Sequence, residues 1–180
     1  MLGGGNPLPV EVRREDTLGK AWSHVRHVRE ASPYWGGNAP YRPYFVGSDF
    51  EAHPPVAVMA RDPETSQQVW SGWQGYPGDP WYLEFHKKHV PGDLRYWRVT
   101  DGKGDLAHKA YYEPQRADDM IHSHAGHFLW LVKEKLRCAP WDGGMPLVCA
   151  PFDAELFGHW WYEGPRWMSK VLRWMNQDPE

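Results

Sequence analysis

The sequence predicts an α/β fold with parallel strands and long loops rich in aromatic residues, and three features of its second half carry this prediction. Residues 114–138 have the apolar spacing of a long helix. Residues 146–152, with the sequence PLVCAPF, form a continuous apolar run like that of a strand buried on both faces of a parallel sheet. A second helical pattern begins at Pro165, directly after Gly164. The order helix, strand, loop, helix is typical of an α/β protein.

The composition fits one folded domain and argues against several classes of protein. The 180 residues carry a formal net charge of −3, so the basic excess that attracts nucleic acid is missing. No apolar run approaches the roughly 18 residues of a membrane helix. The first residues, MLGGGNPLPVEVRRED, lack the apolar stretch of a secretory signal, and we therefore expect a cytoplasmic protein.

Loop-forming residues and aromatic residues are both abundant. The chain contains 18 Gly and 17 Pro, which predict many loops. Its two cysteines, Cys138 and Cys149, are too few for a disulfide framework, and we expect them to be small buried hydrophobic residues. The 12 Trp, 9 Tyr and 6 Phe exceed what one small core needs, so some of these rings are expected to face a ligand.

The first half of the chain predicts one helix and several short strands or extended loop segments. Apolar residues from Leu18 to Val28 recur at steps of three and four residues, which predicts a helix over Glu15–Ala31 that ends at Ser32-Pro33. Runs of β-forming residues follow at 44–46, 56–60, 68–70 and 95–100, separated by turn-rich stretches. The sequence contains no repeat or linker that would divide it into domains.

The two helices of the second half have clear signals. Pro114 suits the first helical position, where its missing N–H costs no hydrogen bond. Acidic residues lie early in this helix and basic residues late, as the helix dipole favours. Its expected apolar stripe consists of Met120, Ile121, His124, Phe128, Leu131, Val132 and Leu136. In the last helix we expect Trp167, Met168, Val171, Leu172 and Met175 to point inward.

Asp153 is the candidate catalytic residue. It directly follows the apolar run, and catalytic groups of α/β barrels project from the carboxyl ends of the strands. Residues 153–164 bring three carboxylates and one imidazole together with tryptophan and tyrosine rings. A carboxyl group against tryptophans has a raised pKa and can act as a general acid, and flat rings stack on sugars, so glycoside chemistry is suggested. A capping or structural aspartate is the alternative.

Two long stretches resemble a known family. PLVCAPFDAELFGHWWYEGPRW, residues 146–167, resembles the signature of glycoside hydrolase family 57, specifically its 1,4-α-glucan branching enzymes. ARDPETSQQVWSGWQGYPGDPWYLEFHKK, followed by RYWRVTD, is similar to the segment that precedes this signature, and the helix with HSHAGHF lies where the family has one. The resemblance covers roughly residues 32–167. We therefore expect one partial catalytic domain, with a leading helical segment at 1–31 and a family 57-like segment at 32–180.

The resemblance implies a retaining α-glucan transferase built on an incomplete, seven-stranded (β/α) barrel. Such enzymes form a glycosyl-enzyme on a glutamate and use an aspartate, matched here by Asp153, as acid and then base. They transfer the glucan chain to a 6-hydroxyl, as in glycogen biosynthesis. The family's nucleophile lies in a Trp-x-Pro-Glu type motif and its first strand carries a His-Gln-Pro type motif, and neither occurs here. We expect the C-terminal half of the barrel, inactive alone, with α-1,4-glucan as substrate and a second polypeptide supplying the other half.

The resemblance and the residue types also suggest which side chains contact the glucan. Trp70 resembles an aromatic residue that lines the family's cleft, and a half-buried core tryptophan is the equal alternative. The signature also contains His159, Trp160, Trp161 and Glu155. For Glu155 and Glu163 the alternative is that they orient a neighbour or cap the last helix. Asp79 in GYPGDP could bind a sugar hydroxyl, but Pro-Gly-Asp-Pro is first of all a turn sequence.

Three functions stay open at the level of sequence. The first is that the chain is part of a branching enzyme, with hydrolysis or 4-α-glucan transfer as alternative reactions. The second is that it is a non-catalytic glucan-binding module, and the third is that it is an inactive remnant. No cofactor or metal is implied, because His124 of the His122, His124 and His127 cluster belongs to the apolar stripe.

Overall fold

The computed structural model describes residues 40–46, 56–139 and 145–179, and the helix predicted over Glu15–Ala31 lies outside them. The described elements, in order, are strands β1 (Pro43–Val46) and β2 (Val56–Met59) and helices α1 (Pro63–Trp70), α2 (Pro114–Cys138) and α3 (Gly164–Gln177). Single 3-10 turns occur at Tyr76–Gly78, Leu106–His108 and Ala154–Leu156. None of the described helices is long and apolar enough to cross a membrane. The chain divides into two compact units, one from Met1–Asp62 and Lys135–Cys149, the other from Pro63–Glu134 and Ala150–Glu180.

The first unit contains a two-stranded sheet. β1 and β2 pair antiparallel, with Pro43 opposite Met59 and Val46 opposite Val56. This confirms the strands predicted at 44–46 and 56–60, but the pairing differs from the parallel arrangement that the sequence predicts. All four residues of β2 are exposed.

The apolar run at 146–152 is extended but is not the buried strand that we predicted. Cys149 makes one parallel bridge with Arg61, and its carbonyl oxygen accepts a hydrogen bond of 2.8 Å from the Asp62 amide. Residues 146–150 are only half-buried. A strand is buried on both faces only when elements cover both sides of its sheet, and in the described ranges this run has a single bridge. Cys149 is half-buried and Cys138 is exposed, so the cysteines are not core residues.

The core of the second unit lies between α2 and α3. α2 begins at Pro114 as predicted, and its buried residues are Ala117, Ile121, Ala125, Phe128 and Leu131. The Phe128 ring meets the edge of the Trp167 ring at a centroid distance of 5.0 Å. Trp167 and Val171 of α3 are buried as predicted. Leu172, 58% exposed, and Met175, 39% exposed, are not, because the inward stripe at a period of 3.6 residues continues through Trp174, which packs on the core.

Two of the runs predicted as strands or extended loop segments are not strands, and one of them is helical. Residues 68–70 are the end of α1, where Pro63 and Glu64 supply a helix start that outweighs the β preference of three residues. Residues 95–100 stay irregular and make isolated antiparallel bridges, from Trp97 to Tyr111 and from Arg98 to Leu83. These bridges connect separate parts of a long loop region, residues 79–112, with each other.

Candidate functional site

An open groove of about 360 Å³ lies on the second unit, and four aromatic side chains dominate its lining. They are Trp70, Trp73, Phe85 and Trp160. Trp73 is 72% exposed, Trp160 49% and Trp70 36%, so their rings are accessible from solvent. The remaining lining comes from Gly72, Pro77, Gly78, Leu83, Glu84, His86, Val99, Gly102 and Leu156. We refer to this cavity as the aromatic groove.

A tight turn after α1 forms one wall of the aromatic groove. The Ser71 hydroxyl accepts hydrogen bonds from the amides of Trp73 (3.2 Å) and Gln74 (3.0 Å). The turn then folds back so closely that a Cβ on Gly78 would overlap the backbone of Gly72. Only glycine therefore fits at position 78, and this close approach fixes the position of Trp73 relative to Trp70.

A buried ion pair supports the opposite wall. Lys109 donates to the carbonyl oxygens of Val99 (2.7 Å) and Asp101 (2.6 Å), and its Nζ lies 3.2 Å from Glu84 Oε2. Burial raises the pKa of Glu84, but hydrogen bonds from the His86 backbone and side chain and from Lys109 outweigh it and lower this pKa below its ordinary value. Lys109 thus holds residues 99–101, which lead into the groove wall, in one conformation.

The loop after Asp153 presents its aromatic residues in alternating directions. The Trp161 amide donates to the Leu156 carbonyl and the Gly158 amide to the Trp161 carbonyl, both at 2.8 Å. These bonds leave Trp160 and Tyr162 half-exposed and place Trp161 in the core. Gly158 has a φ of +93°, in the left-handed region that favours glycine.

The structure places Trp70 and Trp160, both predicted to contact a glucan, in the lining of the same aromatic groove, and the contact itself stays a prediction. The Phe85 ring packs on Trp160 at 4.3 Å, and His159 meets the edge of Phe85 at 5.5 Å, so His159 borders the groove through this ring. Trp161 requires a correction, since it is only 1% exposed and has no ring face to offer a sugar. It packs against Trp167 and Tyr82 because the 3-10 turn before it aims it at the core.

Asp153 and Glu155 are both exposed, and neither contributes to the lining of the aromatic groove. The dry environment expected around Asp153 is therefore not formed by the described residues. The carboxyl group buried among aromatic rings is instead Glu163, which is fully buried and accepts a 3.1 Å hydrogen bond from the Leu83 amide. Burial raises the pKa of Glu163, although the nearby Tyr112 hydroxyl opposes this shift. Its side chain makes no hydrogen bond that caps α3.

Asp79 occupies the turn that the sequence GYPGDP predicts. Its Oδ1 accepts a 2.8 Å hydrogen bond from the Trp81 amide, and its Oδ2 lies 3.5 Å from His124 Nε2. The side chain is largely enclosed, which fits the structural alternative rather than a sugar contact. His124 in turn shares a 2.8 Å hydrogen bond with the Tyr82 hydroxyl, and burial lowers the pKa of His124 although Asp79 opposes this.

The other histidines of α2 also have partners of their own. His127 shares a 2.7 Å hydrogen bond with the Tyr76 hydroxyl, and His122 meets the edge of the Trp174 ring. Among the described residues, no three side chains of His, Cys, Asp or Glu lie close enough together to hold a metal ion.

Sequence reasoning missed Trp73, Phe85 and the Lys109–Glu84 pair. Trp73 and Phe85 lie in the quoted stretch at 60–88 and belong to its high aromatic content, which was the available signal. Glu84 lies in the same stretch, but nothing in the sequence indicates that it pairs with Lys109, which is 25 positions further along the chain and outside both quoted stretches.

Comparisons with known proteins give a consistent result. No family model matches the sequence. A 1,4-α-glucan branching enzyme of Thermococcus kodakarensis is 45% identical over 138 residues, which cover 76% of this chain and 20% of that protein. The crystal structure of a glycoside hydrolase family 57-type branching enzyme from Pyrococcus horikoshii matches with a TM-score of 0.72 at 42% identity, over 84% of this chain and 26% of the other. An α-amylase of Thermotoga maritima matches with a TM-score of 0.67 at 34% identity, over 78% and 30%.

These matches show that the chain is a homologue of 1,4-α-glucan branching enzymes of glycoside hydrolase family 57. The chain spans about a fifth of the length of the curated branching enzymes that it matches.

Proposed function

We propose that the chain acts in the branching of α-1,4-glucans, as in the assembly of glycogen-like glucans in the cytoplasm. The observation that carries the proposal is the groove lined by Trp70, Trp73 and Trp160, because it lies beside the loop that follows Asp153 and within the segment similar to branching enzymes. We further propose that residues 32–180 are part of a (β/α)7 barrel. In that barrel the half-buried run at 146–152 is one strand, and the other parallel strands come from outside the described residues.

Asp153 is the proposed general acid and base. In a retaining mechanism it donates a proton to the glycosidic oxygen while a glutamate nucleophile attacks the anomeric carbon and the leaving glucan departs. It then accepts the proton of the incoming 6-hydroxyl, whose oxygen attacks the glycosyl-enzyme. The two carboxyl groups must lie roughly 5–5.5 Å apart. In this proposal a segment with the Trp-x-Pro-Glu type motif, on a second polypeptide, supplies the nucleophile.

The aromatic groove is the proposed binding site for the glucan chain. Flat tryptophan rings cover the apolar faces of glucose units, while Glu84 and His86 of the lining offer polar groups to the hydroxyls. All of these residues belong to this chain. This favours the second candidate, a glucan-binding module that retains the groove without turnover.

Binding is tested with the chain alone. We expect Trp70→Ala to weaken the affinity for maltotriose and maltoheptaose by roughly tenfold, since one aromatic contact contributes about 0.5–1.5 kcal/mol beyond area burial. Trp130→Ala is the matched control, because Trp130 is exposed but lies outside the groove lining. Titration calorimetry measures both, and equal affinities for the two variants would contradict a glucan site in the groove.

Branching is tested after the chain is combined with a polypeptide that carries the Trp-x-Pro-Glu and His-Gln-Pro type segments. New α-1,6 bonds are counted by enzymatic debranching, and reducing ends are counted in parallel to detect hydrolysis. We expect Asp153→Asn to lower branching by about 10²–10⁴-fold, as for loss of a general acid. Asp119→Asn, an exposed change on α2, serves as the control. A folded mixture that binds amylose but forms no branches would exclude the branching role and favour the binding module.

A further inference from the structure

A second cavity of about 340 Å³ lies next to the aromatic groove. Its lining consists of Leu83, residues 93–95, Tyr112, Gly158 and Tyr162. Leu83 belongs to the lining of both cavities. None of the residues predicted from the sequence to contact the glucan is part of this lining. We call it the second cavity.

The two cavities meet at a stack of three side chains. The centroids of the Phe85 and Trp160 rings lie 4.3 Å apart in the aromatic groove. The Arg95 guanidinium lies over the Phe85 ring, 4.6 Å from its centroid. Arg95 also donates a 3.4 Å hydrogen bond to the His159 carbonyl. A ligand that extends along the groove past Trp160 and Phe85 therefore reaches Arg95 and the second cavity directly.

The alternation in the loop after Asp153 supplies each cavity with one aromatic ring. Trp160 lines the groove, Trp161 lies in the core, and Tyr162 lines the second cavity. The Tyr162 ring is half-exposed, with the Arg166 guanidinium 5.8 Å from its centroid and Tyr112 edge-on at 6.2 Å. These neighbours hold the ring in place while part of it stays open to solvent.

The polar groups of the second cavity suit an uncharged ligand with many hydroxyls. Asp93 brings a carboxylate and Arg95 a guanidinium, so hydrogen-bond acceptors and donors are both present and their charges balance. A phosphate would be repelled by Asp93, and a cation would meet Arg95 and only one carboxylate. Ligand pockets combine aromatic or apolar side chains with a few placed polar groups, and a ring beside such a pair suits a saccharide with its apolar faces and its hydroxyls.

We propose that the second cavity is a further saccharide subsite, where Tyr162 stacks on a glucose unit and Asp93 and Arg95 bind its hydroxyls. The subsite rests on the proposed function, because it takes the part of the glucan that continues beyond the aromatic groove. It lengthens the binding site, so it contributes to the affinity for long oligosaccharides and leaves the affinity for short ones unchanged.

The test compares maltotriose with maltoheptaose by titration calorimetry on the full chain. We expect Tyr162→Ala to weaken maltoheptaose binding by roughly twofold to tenfold and to leave maltotriose binding unchanged. Tyr162→Phe keeps the ring and is expected to bind both sugars like the wild type. Tyr111→Ala is the control, since Tyr111 is 72% exposed and lines neither cavity.

The outcomes separate the subsite from the proposed function. Affinities of Tyr162→Ala that equal those of Tyr111→Ala for both sugars overturn the subsite alone, provided that Trp70→Ala weakens both. Equal losses for the two sugars in Tyr162→Ala also overturn it, because they indicate a general disturbance of the fold. A wild-type chain that binds neither sugar overturns the subsite and the groove together.

Discussion

The buried carboxyl environment that the sequence predicts for Asp153 is found at another residue, Glu163. The sequence suggests a protonated carboxyl group among aromatic rings, and Asp153 was the candidate for it. In the structure Asp153 is exposed, whereas Glu163 is fully buried and its Oε2 has no hydrogen-bond partner among the described residues. A buried carboxylate is costly unless it is neutral or fully hydrogen-bonded. Burial therefore raises the pKa of Glu163, and the residue has a structural effect that depends on pH.

Glu163→Gln is expected to remove this pH dependence. Since the folded-state pKa is raised, the contribution of Glu163 to the free energy of unfolding is full below about pH 4 and is lost as the pH rises through the folded-state value. Glutamine does not ionise, so the Tm of the variant relative to the wild type should increase between pH 4 and 8. The expected scale is about 2–4 °C for each kcal/mol.

Circular dichroism measures these melting curves, and Glu155→Gln is the control because Glu155 is exposed. A constant Tm difference across the pH range would mean that Glu163 does not titrate differently in the folded state. A Tm difference that does not change with pH would come only from the different hydrogen bonding of the glutamine amide.

At the scale of elements, the aromatic groove depends on irregular segments rather than on helices. Only Trp70 belongs to a helix, whereas Trp73, Phe85 and Trp160 lie on turns and loops. These loops are held by close backbone contacts, by the Ser71 hydroxyl and by the buried Lys109–Glu84 pair. The groove is therefore expected to be rigid although it contains little regular structure.

Gly78→Ala is expected to disturb the groove through its turn. The added Cβ overlaps the backbone of Gly72, which cannot move without displacing Trp73. We expect a loss of about 1–3 kcal/mol in the free energy of unfolding, the usual cost of overpacking, and weaker binding of maltoheptaose. Chemical denaturation and calorimetry measure the two effects.

Gly102→Ala is the matched control for this turn. Gly102 also lines the groove, but a Cβ there meets nothing within 4 Å. Equal stability and affinity of the two alanine variants would argue against a turn fixed by the close approach at Gly78.

At the scale of the whole molecule, the described residues contain a well-filled core in the second unit and an exposed strand in the first. The core between α2 and α3 contains Trp161, Trp167 and Tyr82, all nearly inaccessible. β2, by contrast, belongs to a two-stranded sheet and exposes Val56, Val58 and Met59. An exposed apolar edge strand can pair with a second chain and favours aggregation.

Val58→Lys is therefore expected to lower the self-association of the isolated chain, because a charge on an edge strand opposes pairing. Dynamic light scattering as a function of concentration measures the effect. Leu106→Lys is the control, since Leu106 is also exposed but belongs to a 3-10 turn of the second unit. Unchanged association in Val58→Lys, or the same reduction in both variants, would exclude β2 as the contact.

The sequence predicts the helices α2 and α3 well, and the reason is physical. α2 and α3 have local signals, such as Pro114 and the recurring apolar residues, and both helices are confirmed within about a residue of their starts. Trp70 and Trp160 lie in the two stretches that carry the family resemblance, and their contact with a glucan stays a prediction. Other features depend on tertiary contacts or on competition between local signals, which periodicity alone does not resolve. They are the burial of Trp161 and Glu163, the helix at 63–70 and the Lys109–Glu84 pair.

Because some tryptophans lie in the core and others in the groove, the intrinsic tryptophan fluorescence of the chain responds differently to ligand binding and to unfolding. Trp161 and Trp167 are shielded from water, whereas Trp73 and Trp160 are in contact with it. The first pair should emit at shorter wavelength and resist acrylamide, and the second pair should be quenched readily. A sugar in the groove is expected to protect Trp73 and Trp160, and Trp70 beside them, whereas unfolding also exposes Trp161 and Trp167. Fluorescence quenching therefore distinguishes an occupied groove from a loosened fold without any added label.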